Sequence, residues 1–302
     1  MTIRAPGSIG NVGPGLDVLG LAVTGPADLV TLTRSDRAGL SVENPGHPSL
    51  PRAPERNTAS LAIVAACRLA GRPVPGLTVH VRKGLPLAGG QGGSAASAAA
   101  GAVAANLLLD LALTPLQLVE AALDAETVVA GRHADNVAPS ILGGLVLIRS
   151  VDPLDIISLP VPPSLRCVLV HPDYALLTSV GRQALPATVS RDDAMAQAAN
   201  VAGLVAGAFL GDLALLGRAL EDRIAEPARG PLLPGFPEAR RAALDAGALG
   251  CSISGSGPTA FALVTEETAV QVLSAMREAY ARRGIASEGR IASTELRGAG
   301  PA

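Results

Sequence analysis

The sequence has no tryptophan, two tyrosines and three phenylalanines, so aromatic residues make up 2% of its 302 positions. Base-stacking surfaces for nucleic acid need more rings than that. Lysine is almost absent too: Lys83 stands alone, and arginine carries the remaining positive charge. With 24 basic and 26 acidic residues the net charge is −2, which argues against a basic nucleic-acid face or a polybasic membrane patch. The three cysteines, Cys67, Cys167 and Cys251, are widely separated and lack metal-ligand spacing. They suit buried apolar roles in a reducing compartment, so the expected location is the cytoplasm. The opening MTIRAPGSIG shows neither the charged leader nor the apolar core of a secretory signal. No G-x-x-x-x-G-K-[ST] occurs, which excludes a P-loop enzyme. At 48% apolar and 17% charged the chain is not a disordered one, and its length allows one large or two ordinary domains.

What is present centres on residues 84–109, GLPLAGGQGGSAASAAAGAVAANLLL. Its length raises the question of a membrane span, but it opens in glycine and proline and continues mainly as alanine, which predicts a buried core helix. An apolar strand over 77–82 runs into a turn holding Gly89, Gly90, Gly92 and Gly93, and Ser94 opens the helix. Strand, glycine turn and helix start together present unpaired backbone N–H groups and the positive end of the helix dipole to an anion. A plain turn with Ser94 as helix cap is the competing reading, against a phosphate cradle in which Ser94 lends its hydroxyl to a phosphate-bound Mg2+.

Around this stretch the pattern alternates between strands and helices. Residues 3–24 read as two strands around a Gly/Pro-rich loop with Asn11 and Asp17, and residues 28–43 as a strand or hairpin. Asn57 stands at the start of a helix running through Leu69 and could simply cap it. A helix from Pro115 to about Val129 carries Glu120 and Glu126, for which solvation is the ordinary expectation. Arg132, His133, Asp135 and Asn136 crowd one loop before an apolar strand. Strands are expected at 155–159 and 165–170, and helices from about Asp192 to Phe209 and Asp212 to Ile224. Thr178, Arg182 and Arg229 fall in connecting segments. Two apolar strands flank Ser254-Gly255-Ser256-Gly257-Pro258, and a helix over about 268–283 with a strand near 288–296 completes a ferredoxin-like pattern.

Four of these stretches, in order, resemble the motifs of the GHMP kinases. Asn11-Val12-Gly13-Pro14-Gly15-Leu16-Asp17 is similar to the first motif, in the form found in the branch acting on L-homoserine. Pro86 through Ala96 resembles the phosphate loop, His133-Ala134-Asp135-Asn136-Val137-Ala138-Pro139 a signature of that branch, and Ser254 through Thr259 the third motif. Gln91 stands where the family has Leu, Gly93 where it has the first of two serines, and the segment from Glu126 to His133 is one residue short. The resemblance implies an α+β, two-domain GHMP kinase fold, a ribosomal protein S5 domain 2-like unit over 1–152 followed by a ferredoxin-like unit over 153–302. It implies ATP-dependent phosphorylation of the L-homoserine hydroxyl, with ATP and Mg2+ as cofactors and a homodimer as the assembly. By the same resemblance ATP lies against Asn57, Pro86, Leu87, Ala88, Gly89, Gly90, Gln91, Gly92, Gly93, Ser94, Ala95 and Ala96, and Ser94 and Glu126 hold the metal. Asn11, Asp17, Asn136, Arg182 and Arg229 hold the substrate, and Asn136 or Thr178 stands near the reacting hydroxyl. The residues themselves name no general base. Another GHMP kinase, for a sugar or isoprenoid alcohol, a non-catalytic nucleotide or amino-acid sensor, and an apolar structural protein are the other readings.

Overall fold

The computed structural model describes residues 1–129 and 131–302. The first half builds one mixed sheet backed by helices. In chain order its elements are β1 (Thr2–Gly10), β2 (Leu19–Arg34), β3 (Leu40–Asn44), α1 (Thr58–Leu69), β4 (Leu77–Arg82), α2 (Gly93–Leu109), α3 (Pro115–Val129), α4 (Val137–Leu142), β5 (Leu145–Val151) and β6 (Leu154–Leu159). β1, β2 and β4 pair antiparallel, β3 lies parallel to β4, and the β5–β6 hairpin joins through β2. The alanines of α2 are buried almost without exception. They let helices pack closely: a Cβ on Gly101 would stand 2.4 Å from the Ala59 carbonyl oxygen of α1. α3 starts with a reciprocal cap, in which Gln117 N–H donates to the Thr114 hydroxyl at 3.3 Å and Thr114 N–H to the Gln117 side chain at 2.9 Å.

The second half contains β7 (Arg166–Pro172), α5 (Thr178–Gln183), α6 (Arg191–Leu210), α7 (Leu213–Arg218), α8 (Ala225–Arg229), α9 (Phe236–Asp245), β8 (Gly250–Ile253), β9 (Ala260–Val264), α10 (Glu266–Arg282) and β10 (Ser287–Ala292). Its sheet runs β10-β7-β9-β8, all antiparallel, with α9 and α10 packed on it through Phe236, Val272, Met276 and Tyr280. This is the ferredoxin-like order the sequence predicts. A third apolar cluster, including Ile9, Leu19, Leu21, Leu204, Leu216 and Phe261, joins the two halves into one body.

Several expectations need revision. The strand at 40–44 forms no hairpin with its predecessor, because its partner is β4. The helix expected from 212 to 224 stops at Arg218, and a separate short helix begins at Ala225. Asp222 explains the second start: its carboxylate accepts from the N–H groups of Ile224, Ala225 and Glu226 at 2.8–2.9 Å. The division expected at 152/153 falls inside the β5–β6 hairpin, so the first sheet extends to Leu159. The chain also returns to that sheet, where β11 (Gly300–Pro301) pairs with β1. α6, the one helix among the described residues that is long and apolar enough to cross a membrane, packs its Leu204 and Ala208 side into the protein.

Candidate active site

A cleft of about 820 Å³ opens between the two halves, lined by the glycine turn, the 45–58 segment, the 131–136 loop, α5, Arg229 and the β8–β9 turn. The turn owes its shape to partners outside the cleft. Ser8 N–H donates to the Gln91 carbonyl at 3.1 Å, the Ser254 hydroxyl to the Gly90 carbonyl at 2.6 Å, and the Thr259 hydroxyl to the Gly89 carbonyl at 2.5 Å. With those oxygens turned outward, the N–H groups of Gly90 through Ala95 have no protein acceptor among the described residues. Gly90 (φ +73°) and Gly92 (φ +68°) occupy the left-handed region that glycine enters without strain. Gly92 is also the residue before α2, and its lack of a side chain leaves that helix start uncapped. An uncapped helix N-terminus beside free turn amides is suited to receive an anion.

Ser94 does not cap α2. Its hydroxyl donates to Glu126 Oε2 at 2.9 Å, and Glu126 Oε1 is buried without a hydrogen-bond partner. Burial raises the Glu126 carboxyl to about 7 against the opposing pull of Ser94 and Lys83. An orphaned buried carboxylate oxygen beside a hydroxyl, on the cleft wall next to the free amides, fits a Mg2+, a hard cation that takes oxygen ligands. Lys83 and Asp28 form a buried ion pair below the turn, and Lys83 Nζ also donates to the Gly93 carbonyl at 2.7 Å and the Ser97 hydroxyl at 3.1 Å. No role for Asp28 follows from the sequence alone. Its signal was a lone aspartate entering an apolar strand opposite the only lysine.

At the other end of the cleft Arg182 holds Asp17 with two hydrogen bonds, 2.7 and 3.0 Å long, and His133 Nδ1 lies 3.3 Å from the same carboxylate. Burial pushes the Asp17 carboxyl up, but Arg182 and His133 outweigh it and hold it below the ordinary carboxylate range. Arg182 Nε is buried with no acceptor. Arg229, 3% exposed, spends Nε on the Gly181 carbonyl and Nη1 on the Gly255 carbonyl. Asn11 ties the site together: its Oδ1 accepts from Asp17 N–H at 3.1 Å and its Nδ2 donates to Gly255 at 2.9 Å. Asn136 accepts from the Ser8 hydroxyl at 3.0 Å. Asp135, unassigned from the sequence although it stands in the suspicious 132–136 cluster, accepts from Asn11 N–H, and burial raises its carboxyl to about 6.

The cleft thus gathers Asn11, Asn57, Pro86 through Gly90, Gly92 through Ala95, Glu126, Asn136, Thr178, Arg182 and Arg229 along its wall. Asp17 reaches it through Arg182. Asn57 caps α1, accepting from Ser60 N–H at 3.2 Å, so the capping reading of that residue is realised within the cleft wall. Two expected cradle residues lie apart from the wall: Ala96 is buried in α2, and Gln91 sends its side chain toward the second half.

Fold and site together define a small-molecule kinase of the GHMP class. The chain matches the GHMP kinases N terminal domain over residues 57–144 and the GHMP kinases C terminal domain over 201–282. It is 46% identical over 290 residues to a homoserine kinase of Chlorobium phaeovibrioides, covering 91% of this chain and 90% of that one. A homoserine kinase of Arabidopsis thaliana is 43% identical, with 89% of this chain and 75% of that one covered. The crystal structure of homoserine kinase from Cytophaga hutchinsonii superposes with a TM-score of 0.95 at 41% identity, over 99% of this chain and 96% of that one. The chain belongs to the homoserine kinase family of the GHMP kinases.

Proposed function

We propose that this enzyme transfers the γ-phosphoryl group of ATP, with Mg2+, to the side-chain hydroxyl of L-homoserine, giving O-phospho-L-homoserine for threonine synthesis. The observation that carries the reading is the pairing, in one cleft, of free amides at 90–95 with an Asp–Arg–Arg set that matches a zwitterion. The amides and the α2 dipole receive the triphosphate. Ser94 and Glu126 hold Mg2+, which when bound neutralises charge on the phosphates. Asp17 takes the substrate ammonium, while Arg182 and Arg229 take its carboxylate, for which a guanidinium fork is well shaped. Asn136 and Thr178 orient the hydroxyl. The oxygen then forms its bond to phosphorus as the bond to ADP breaks, and the hydroxyl proton passes to solvent. Positioning and charge neutralisation supply most of phosphoryl-transfer catalysis, so no general base is assigned.

A panel of alcohols with ATP and Mg2+, read by ADP formation, tests the assignment. Turnover of homoserine with none of mevalonate or galactose is expected. Turnover of either of those, with homoserine inert, would overturn it, and ATP binding without transfer would favour a sensor.

The enzyme works in the cytoplasm, a compartment that suits three cysteines that are free and buried. A homodimer is the proposed assembly, supported by α6, whose outer side exposes Met195 (67%), Phe209 (64%) and Leu210 (75%). Light scattering on the wild type and on Phe209→Glu checks this, and a monomeric wild type would dismiss it.

A further inference from the structure

Gln91 belongs to the phosphate loop by sequence, yet its side chain is 5% exposed and points into the second half. There Gln91 Oε1 accepts from Arg290 Nη2 at 2.9 Å, and Gln91 Nε2 donates to the Thr259 hydroxyl at 3.2 Å. The Thr259 hydroxyl lies 2.5 Å from the Gly89 carbonyl. Arg290 places its other terminal nitrogen 2.7 Å from the Thr24 carbonyl of β2 and forms no ion pair among the described residues.

We infer that Arg290 is a positioning residue for the triphosphate, acting through Gln91 and Thr259 to fix and polarise the Gly89–Gly90 peptide. This rests on the ATP reading of the loop. The direction of every proton follows from Arg290. A guanidinium can only donate, so the Gln91 atom facing it is the oxygen, and the amide nitrogen faces Thr259. The Thr259 oxygen therefore accepts from Gln91 and gives its own proton to the Gly89 carbonyl. His171 Nδ1, 3.1 Å from the same hydroxyl oxygen, must be a donor as well. The chain of donors then runs one way, from a fixed positive charge to a peptide whose opposite end is the Gly90 N–H, a group with no protein acceptor. Hydrogen bonds in series strengthen one another inside a protein, so charge at one end makes the last donor more acidic. A cation placed directly on the loop would compete with Mg2+ for the phosphates. One placed three links behind it reinforces the amide without entering the cleft. Burial lowers the pKa of Arg290 and is not offset by a carboxylate, which fits a charge retained for what it does through its partners.

The test uses the full chain with four variants: Arg290→Met, Gln91→Leu, their double, and Arg290→Lys. Thermal midpoints, the KM of each substrate, and equilibrium MgATP affinity are measured for each. The expected result is that either single variant weakens MgATP binding about tenfold, the usual scale for losing a charge-assisted bond, with the homoserine KM within about twofold. The double variant is then no weaker than the worse single one, because both break the same series, and Arg290→Lys recovers part of the loss. If Arg290→Met does not fold, Gln91→Leu carries the comparison, since it removes the relay with an apolar side chain of similar size. Lowered thermal midpoints with unchanged MgATP affinity, or an additive double variant, would overturn the inference and leave Arg290 as a domain staple. Wild-type protein that binds no MgATP would instead overturn the kinase reading itself.

Discussion

Arg182 and Asp17 are bonded to each other through both guanidinium terminal nitrogens, at 2.7 and 3.0 Å, although the proposed reaction assigns them to opposite charges of one substrate. A zwitterion can replace this bond on both sides at once, its ammonium at Asp17 and its carboxylate at Arg182. A ligand with a single charge would break the pair and leave one partner unsatisfied. Asp17→Asn and Arg182→Lys should each raise the homoserine KM about tenfold to a hundredfold, the range of one charged hydrogen bond, and leave the ATP KM within about threefold. Steady-state kinetics with each substrate varied in turn checks this. 4-Hydroxybutyrate and 3-aminopropanol, each lacking one charge, should both be poor substrates of the wild type.

Two buried carboxyls should pull stability down as pH rises in metal-free buffer, against the opposite contribution of His133 and His171, whose pKa burial lowers. Burial raises Glu126 from 4.5 to about 7 and Asp135 from 3.8 to about 6, so the folded protein holds protons that the unfolded chain has released across that window. Unfolding then releases protons, and rising pH favours it. In urea midpoints measured with EDTA from pH 4.5 to 8, the wild type should lose stability relative to Glu126→Gln as pH rises toward 7, while the variant's turnover falls at least about a hundredfold. A Glu126→Gln profile that runs parallel to the wild type through this range would contradict the assignment.

Two glycines of the same turn should behave oppositely. A Cβ at Gly90 would stand 2.4 Å from the Ser254 carbonyl oxygen, and the residue has φ +73°. Gly90→Ala should therefore abolish detectable phosphorylation. A Cβ at Gly93 would find its nearest neighbours at 3.4 Å, an ordinary contact. Gly93→Ser, which restores the residue the family motif carries, should keep the ATP KM within about threefold, since surface-like changes without steric conflict cost little. ADP-release assays on both variants decide it.

Breaking the Lys83–Asp28 pair should damage both stability and the turn. Removing one partner leaves a buried charge alone, a loss of about 3–5 kcal/mol, so Lys83→Met and Asp28→Asn should lower the denaturation midpoint by that much. Lys83→Arg should not restore it, because a planar fork cannot replace an ammonium that reaches Asp28, Gly93 and Ser97 at once. Chemical denaturation of the three variants provides the check.

The strand, glycine turn and helix at 77–109 were legible because their signals are local: alternation, a run of glycines, then an uncharged alanine stretch. The ferredoxin-like half was legible from the order of its apolar segments. What the sequence could not show were contacts across long separations. Gln91 meets Thr259 and Arg290 at 168 and 199 residues' distance, and nothing in the spelling GGQGG says which way that amide turns. The orphaned oxygen of Glu126 was equally hidden, since a glutamate on a helix is ordinarily solvated and only the packing of α2 against α3 removes this one from water. The short helix at Ala225 was missed because the chain read as one helix through to Ile224, and the cap that divides it comes from Asp222.

The carbonyl groups that shape the nucleotide turn are claimed by Ser254 and Thr259, residues that lie more than 160 positions downstream. Until those residues are in place, therefore, the turn lacks the donors that hold the Gly89 and Gly90 carbonyls away from the cleft. The turn is thus spelled in one half of the chain and shaped from the other, so a truncation before residue 254 should leave its glycines without their outer scaffold.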